Sequence, residues 1–151
     1  MATPDVGDLA PDFTLPSTTG EVHLKDRLKG KAVLLVFYPG DATPVCTKQL
    51  CDYRDNLASF GDLGVDVLAI NPQSMDSHEK FANKHALPFP LASDADKSVC
   101  RAYGALGLLG MAKRALVLVG RDGRIKYRKT DLPIFHRSAS ELREVIRKLE
   151  V

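Results

Sequence analysis

The period of the apolar residues changes several times along the chain, and each change marks an element. Residues 13–15 and 22–24 are short alternating stretches on either side of Ser17-Thr18-Thr19-Gly20, which predicts an N-terminal β-hairpin. Residues 32–38 (Ala-Val-Leu-Leu-Val-Phe-Tyr) form an unbroken apolar run rich in β-formers, the pattern of a strand covered on both faces of a sheet, and Pro39 and Gly40 end it. Cys46, Leu50, Tyr53, Leu57 and Phe60 then recur at helical spacing, predicting an amphipathic helix that stops near Gly61. Residues 65–70 predict a second buried strand. Residues 77–86 predict a helix capped by Asp76 or Ser77, with Pro88 beyond its end, and residues 96–103 a shorter helical piece closed by Gly104. Two further strands, 115–119 and 125–129, flank the turn Gly120-Arg121-Asp122-Gly123; Ile125 and Tyr127 alternate with Lys126 and Arg128, so the second has one wet face. The final helix carries the clearest signal. Ser138 and Glu141 form an S-x-x-E capping box, and Leu142, Val145, Ile146 and Leu149 make one apolar stripe.

Strands that alternate with helices point to an α/β domain whose central sheet contains parallel strands. There is no internal repeat, low-complexity segment or linker-like cluster of Pro and Gly, so a single domain over residues 1–151 is expected. With 44% hydrophobic and 26% charged residues the chain has the composition of a globular protein with a real core. A net charge of +2 is too small and dispersed for a nucleic-acid or membrane-surface binder, and no apolar run approaches the length of a membrane span. Residues 1–8 carry acids and a proline in place of the basic patch and apolar core of a secretory leader, so the expected compartment is the cytoplasm.

In that compartment thiols stay reduced, and three cysteines are not a structural disulfide framework. Cys46 and Cys51 form a C-x4-C pair, and Cys100 stands apart. Around the pair, a buried strand ends at Tyr38, a loop follows and a helix opens, placing the segment in the crevice beyond the carboxyl ends of the strands, where ligands sit in open α/β sheets. Thr43 suits the N-cap and Pro44 the first helical position, which puts Cys46 in the first turn. There the helix dipole and unpaired backbone N–H groups favour a thiolate, the nucleophilic form of cysteine. Cys46 also falls on the apolar stripe, and position alone leaves a reactive and an inert, packed cysteine both open. C-x4-C is not a zinc-ligand spacing, and His78 and His85, two turns apart on one helical face, add no finger-like pair; no metal or cofactor is expected. A disulfide oxidoreductase of the thioredoxin kind would need C-x-x-C, which the chain lacks.

Pro39-x-x-x-Thr43-x-x-Cys46 resembles the P-x-x-x-T/S-x-x-C signature of the peroxiredoxins. Ala10-Pro11-Asp12-Phe13-Thr14-Leu15, the segments from Ser77 to Phe81 and from Leu87 to Leu91 with Ser93-Asp94, and Lys113-Arg114-Ala115 before an apolar strand extend the likeness over nearly the whole chain, in the bacterioferritin-comigratory or peroxiredoxin Q branch. The resemblance implies a thioredoxin-like fold, a central mixed sheet flanked by helices with an N-terminal β-hairpin extension. It also implies a peroxidase acting on hydrogen peroxide and organic hydroperoxides. Cys46 would attack the peroxide and become a sulfenic acid, and Arg114 would stabilise the thiolate and the departing oxygen. Thr43 would hydrogen-bond the peroxide, Pro39 would shape and shield the pocket, and Gln49, one turn beyond Cys46, would be either part of the same network or a solvated surface residue. That role conflicts with the use of the Thr43 hydroxyl as an N-cap, and one hydroxyl is not assumed to serve both. Cys51 would resolve the sulfenic acid to a disulfide, which thioredoxin or a similar dithiol would reduce, and the protein would be a monomer. Two departures stand out. Val45 replaces the Gly common before the nucleophile, and Cys100 sits where no catalytic thiol is expected, so it reads as a packed helix cysteine.

Overall fold

An unbroken apolar strand can avoid water only with cover on both faces, and the fold supplies it. In the computed structural model, which describes residues 3–107 and 109–149, the elements are β1 (Thr14–Leu15), β2 (Val22–His23), α1 (Leu24–Arg27), β3 (Ala32–Phe37), α2 (Pro44–Asp55), α3 (Leu57–Asp62), β4 (Val65–Asn71), α4 (Met75–His85), β5 (Leu91–Ser93), α5 (Ser98–Ala102), β6 (Arg114–Val119), β7 (Ile125–Asp131) and α6 (Ala139–Lys148). Residues 1, 2, 108, 150 and 151 of the expected domain lie outside the described residues. The five-stranded sheet has the order β5-β4-β3-β6-β7. β3, β4 and β5 pair in parallel, and β6 runs antiparallel to both β3 and β7. Together with the separate antiparallel hairpin β1–β2, this is the thioredoxin-like mixed sheet that the resemblance implies.

Every residue of β3 and β6 is buried. Their alternation divides two cores. Leu34, Val36, Leu116 and Leu118 face α2, α3, α4 and α6 on one side, and Val33, Leu35, Val117 and Val119 face the hairpin, α1 and α5 on the other. Each large apolar side chain taken fully from water on these strands contributes about 1.5–3 kcal/mol.

The structure departs from the expected elements at several places. The helix expected to run on to Gly61 breaks at Asn56, whose Nδ2 donates to Asp52 O at 2.9 Å and Asp52 Oδ1 at 3.2 Å while its own backbone leaves the helical region, so α2 and α3 are separate. Gly61 is inside α3, and the left-handed turn residue is Gly64, with φ +74°. Ser74, not Asp76 or Ser77, caps α4: its hydroxyl accepts from Ser77 N at 3.2 Å, and the helix starts at Met75. α5 begins at Ser98, since Lys97 is left-handed at φ +65°. The capping box of α6 is half made. Ser138 Oγ accepts from Glu141 N at 3.1 Å, but Glu141 turns to Arg137 at 2.7 Å, and the N–H of Ala139 goes to Asp52 Oδ2 of α2 at 2.8 Å.

The hairpin also reaches the outer edge of β5. Ser17 bridges Ala92 in antiparallel fashion, Thr18 N donates to Leu91 O at 3.2 Å, and Ser93 N donates to Pro16 O at 2.9 Å. No helix among the described residues is long and apolar enough to cross a membrane.

Candidate active site

Because β6 runs antiparallel to β3, its first residue lies at the end of the sheet where β3 stops and the chain turns into α2; Phe37 pairs with Ala115. Arg114 shares the face of Leu116 and Leu118, so its side chain enters the core beneath α2. On α2, Cys46, Gln49, Leu50 and Tyr53 fall at i, i+3, i+4 and i+7, and all four are buried. The polar members of this stripe meet the arginine. Arg114 Nη2 donates to Cys46 Sγ at 3.1 Å, and Nη1 donates to Gln49 Oε1 at 2.5 Å. Nε and Nη2 both donate to Pro133 O, at 3.1 and 2.8 Å. Gln49 Nε2 donates to the Tyr53 hydroxyl at 3.2 Å, which donates to Arg137 O at 2.7 Å.

Arg114 is 2% exposed and, among the described residues, has no carboxylate within ion-pairing distance. A buried guanidinium without a carboxylate partner is costly, and Arg114 meets the Cys46 sulfur, the Gln49 amide oxygen and the Pro133 carbonyl instead. Gln49 is thus part of the network, not a surface residue. Burial pushes the Tyr53 hydroxyl far up, so it remains a donor.

Thr43 is the N-cap of α2 in extended conformation, and Pro44 takes the first helical position. The Thr43 hydroxyl does not cap the helix; it donates to Gly40 O at 3.1 Å and holds the turn before it. Thr43 and Pro44 are exposed and Pro39 is half-buried, whereas Cys46 has no exposed surface.

Cys51 is half-buried further along the same helix, and all three cysteines are free thiols. Five residues apart on an ideal helix, two Cα atoms stand roughly 8.6 Å and about 140° apart, beyond the ~6.8 Å that a disulfide spans. Cys100 lies across the sheet from Cys46, in the other core. Its amide donates to Asp94 Oδ2 at 2.7 Å. Burial, with the hydrogen bond and charge of Asp94 acting in the same direction, raises its thiol far above the ordinary value. Among the described residues no three His, Cys, Asp or Glu side chains gather as a metal site.

Sequence reasoning passed over a second polar cluster at the start of the loop. Asp41 Oδ2 lies 2.7 Å from His78 Nδ1, Ser77 Oγ donates to the same oxygen at 2.7 Å, and the Tyr38 hydroxyl donates to Asp41 Oδ1 at 2.5 Å. Burial would raise the Asp41 carboxyl, but the bonds from His78, Tyr38 and Ser77 outweigh it and hold the group below its usual value. The available signal was His78 itself, a polar residue on the face of α4 that buries Phe81 and Ala82.

Residues 6–128 match the AhpC/TSA family. The chain is 48% identical over 102 residues to a peroxiredoxin bcp of Coxiella burnetii, covering 68% of each. It is 40% identical over 129 residues to peroxiredoxin Bcp of Escherichia coli K12, covering 80% of this chain and 82% of the relative. The crystal structure of peroxidoxin BcpB from Mycobacterium tuberculosis superposes with a TM-score of 0.87 at 29% identity, over 98% of this chain and 99% of that one.

Proposed function

Since this chain belongs to the AhpC/TSA family of peroxiredoxins, and within it to the Bcp branch, we propose that its thiol peroxidase activity runs through Cys46. The Cys46 thiolate attacks the terminal oxygen of a hydroperoxide; an S–O bond forms, the O–O bond breaks, and water or an alcohol leaves with a proton. Arg114, bonded to the sulfur, stabilises the thiolate and then the negative charge on the leaving oxygen. Gln49, tied to Tyr53, and the carbonyl of Pro133 orient the guanidinium, so its aim is set before the peroxide arrives. Thr43 and Pro39 form the rim that the peroxide crosses.

The thiolate of Cys51 then attacks the sulfenic sulfur, releasing water and leaving a Cys46–Cys51 disulfide, which thioredoxin or a similar dithiol reduces by exchange. The protein works as a cytoplasmic monomer of one domain, with hydrogen peroxide and organic hydroperoxides as substrates and no cofactor. One observation carries the reading: the 3.1 Å contact between a buried arginine and the Cys46 sulfur. Peroxide turnover with thioredoxin and its reductase, repeated for each Cys→Ser variant, tests it. Loss of turnover is expected for Cys46→Ser and Cys51→Ser but not for Cys100→Ser; undiminished peroxide consumption by Cys46→Ser would end the proposal.

A further inference from the structure

We infer that Asp41 and His78 form a buried ion pair that positions the loop carrying Cys46, a role that rests on Cys46 being the peroxide-reactive thiol. His78 has no exposed surface, and the Asp41 side chain is 3% exposed. Both ring nitrogens of His78 face acceptors: Nδ1 meets Asp41 Oδ2 at 2.7 Å, and Nε2 meets the carbonyl oxygen of Ala92 at 3.2 Å. A carbonyl only accepts, so Nε2 carries a hydrogen. An ionised carboxylate only accepts, so Nδ1 carries one as well. The alternative, a proton on Asp41, is disfavoured because each of its oxygens already receives a hydroxyl, from Tyr38 and from Ser77. The ring is an imidazolium, and Asp41 is its counter-ion.

The pair ties the loop to α4. Asp41 N also donates to Gln73 Oε1, beyond β4. The next residue, Ala42, has φ +62°, a left-handed conformation that a Cβ disfavours and that persists only where the surroundings hold it. Thr43, bonded back to Gly40, follows it, and then the first turn of α2. Arg114 belongs to the sheet and Cys46 to the helix that this loop delivers, so their contact depends on the turn at Asp41 and Ala42. The ionisable groups around the pair are Tyr38 and Cys46 from the β3–α2 segment, and Lys80 and Lys84 from α4, which line the cleft beside Asp41; Asp76 is turned to Lys80 at 3.1 Å. Among the described residues Asp41 is the one carboxylate within ion-pairing distance of His78.

Nitrogen-15 NMR of the reduced protein at neutral pH tests the pair directly, with both imidazole nitrogens of His78 expected to be protonated. Asp41→Asn keeps an acceptor but removes the charge, so His78 should turn neutral and the stopped-flow reaction of Cys46 with hydrogen peroxide should slow about tenfold. The double variant Asp41→Asn/His78→Gln should be no slower than Asp41→Asn alone, because the two residues act as one unit. The exposed Asp76→Asn should leave the rate unchanged. A bare nitrogen on wild-type His78, or an unaltered rate in a folded Asp41→Asn protein, overturns the inference. Failure of the wild-type protein to oxidise at Cys46 overturns the reading beneath it, and the NMR signature, which does not depend on Cys46, tells the two failures apart.

Discussion

Arg114 and Cys46, 68 positions apart in the chain, meet inside the protein with Nη2 3.1 Å from Sγ. The arginine comes from a strand and the cysteine from a helix end, so guanidinium and sulfur are fixed by separate elements. Arg114→Ala should slow peroxide attack by well over tenfold in stopped-flow measurements. Arg114→Lys should be nearly as slow, because an ammonium keeps the charge but cannot bond Cys46, Gln49 and Pro133 in one plane. A lysine variant at full rate would show that charge alone suffices.

Cys51 poses a geometric problem with a measurable answer. The intact α2 helix keeps the two cysteines beyond disulfide reach, so resolution by Cys51 would require its first turns to unwind. Beyond Cys51 the helix is tethered to the start of α6, through Asp52 to Ala139 N and Tyr53 to Arg137 O. After one equivalent of peroxide, mass mapping should find an intramolecular Cys46–Cys51 disulfide. Amide exchange should rise from Cys46 to Cys51 and stop at Asp52, leaving α6 protected. Without that disulfide, the sulfenic acid is instead reduced directly by an external thiol.

Cys100 lies in the opposite core with its thiol raised by burial and by Asp94. Cys100→Ser should retain thioredoxin-linked turnover and lose at most about 1 kcal/mol of stability. In the wild-type protein, thiol reagents should label Cys100 only after unfolding. A Cys46–Cys100 linkage as the main oxidation product would contradict the placement of the two residues.

Asp41 contributes to stability against acid. Its folded carboxyl lies below the ordinary value of 3.8, so the folded protein takes up the proton less readily than the unfolded chain. The stabilisation is therefore complete above about pH 4 and is lost as pH falls through the lower folded value. Urea midpoints taken between about pH 5 and pH 2 should fall steeply for the wild type and less steeply for Asp41→Asn. Identical slopes would mean that the carboxylate gains nothing from its partners.

Long periodic runs were legible from the chain alone. The strands at residues 32–38 and 65–70 and the final helix appear where the apolar pattern puts them, since six or more positions define a period. β5, with three residues, and α1, with four, carry too few positions to show one. The break at Asn56 came from a side chain competing with the helix backbone, which no count of apolar residues detects. In the site, Gln49 stands at i+3 from Cys46 on a stripe whose burial could be read, although its partner across the fold could not. Pro133 contributes a carbonyl that any residue would supply, so its side chain gives no signal. The Asp41–His78 contact joins positions 37 apart, and local pattern is silent at that range.

The hairpin bonds on β5 acquire a different meaning once α2 is expected to come apart in every turnover. A loosened protein is most hazardous when it bares a row of unpaired backbone groups onto which another chain can add a strand and begin to aggregate. Here residues 16–18 already occupy the margin of β5. The opposite margin, β7, carries Lys126, Arg128 and Lys129, charges that discourage stacking by a second chain. Unwinding α2 would leave both margins of the sheet as they are, and so would offer no template for fibre growth.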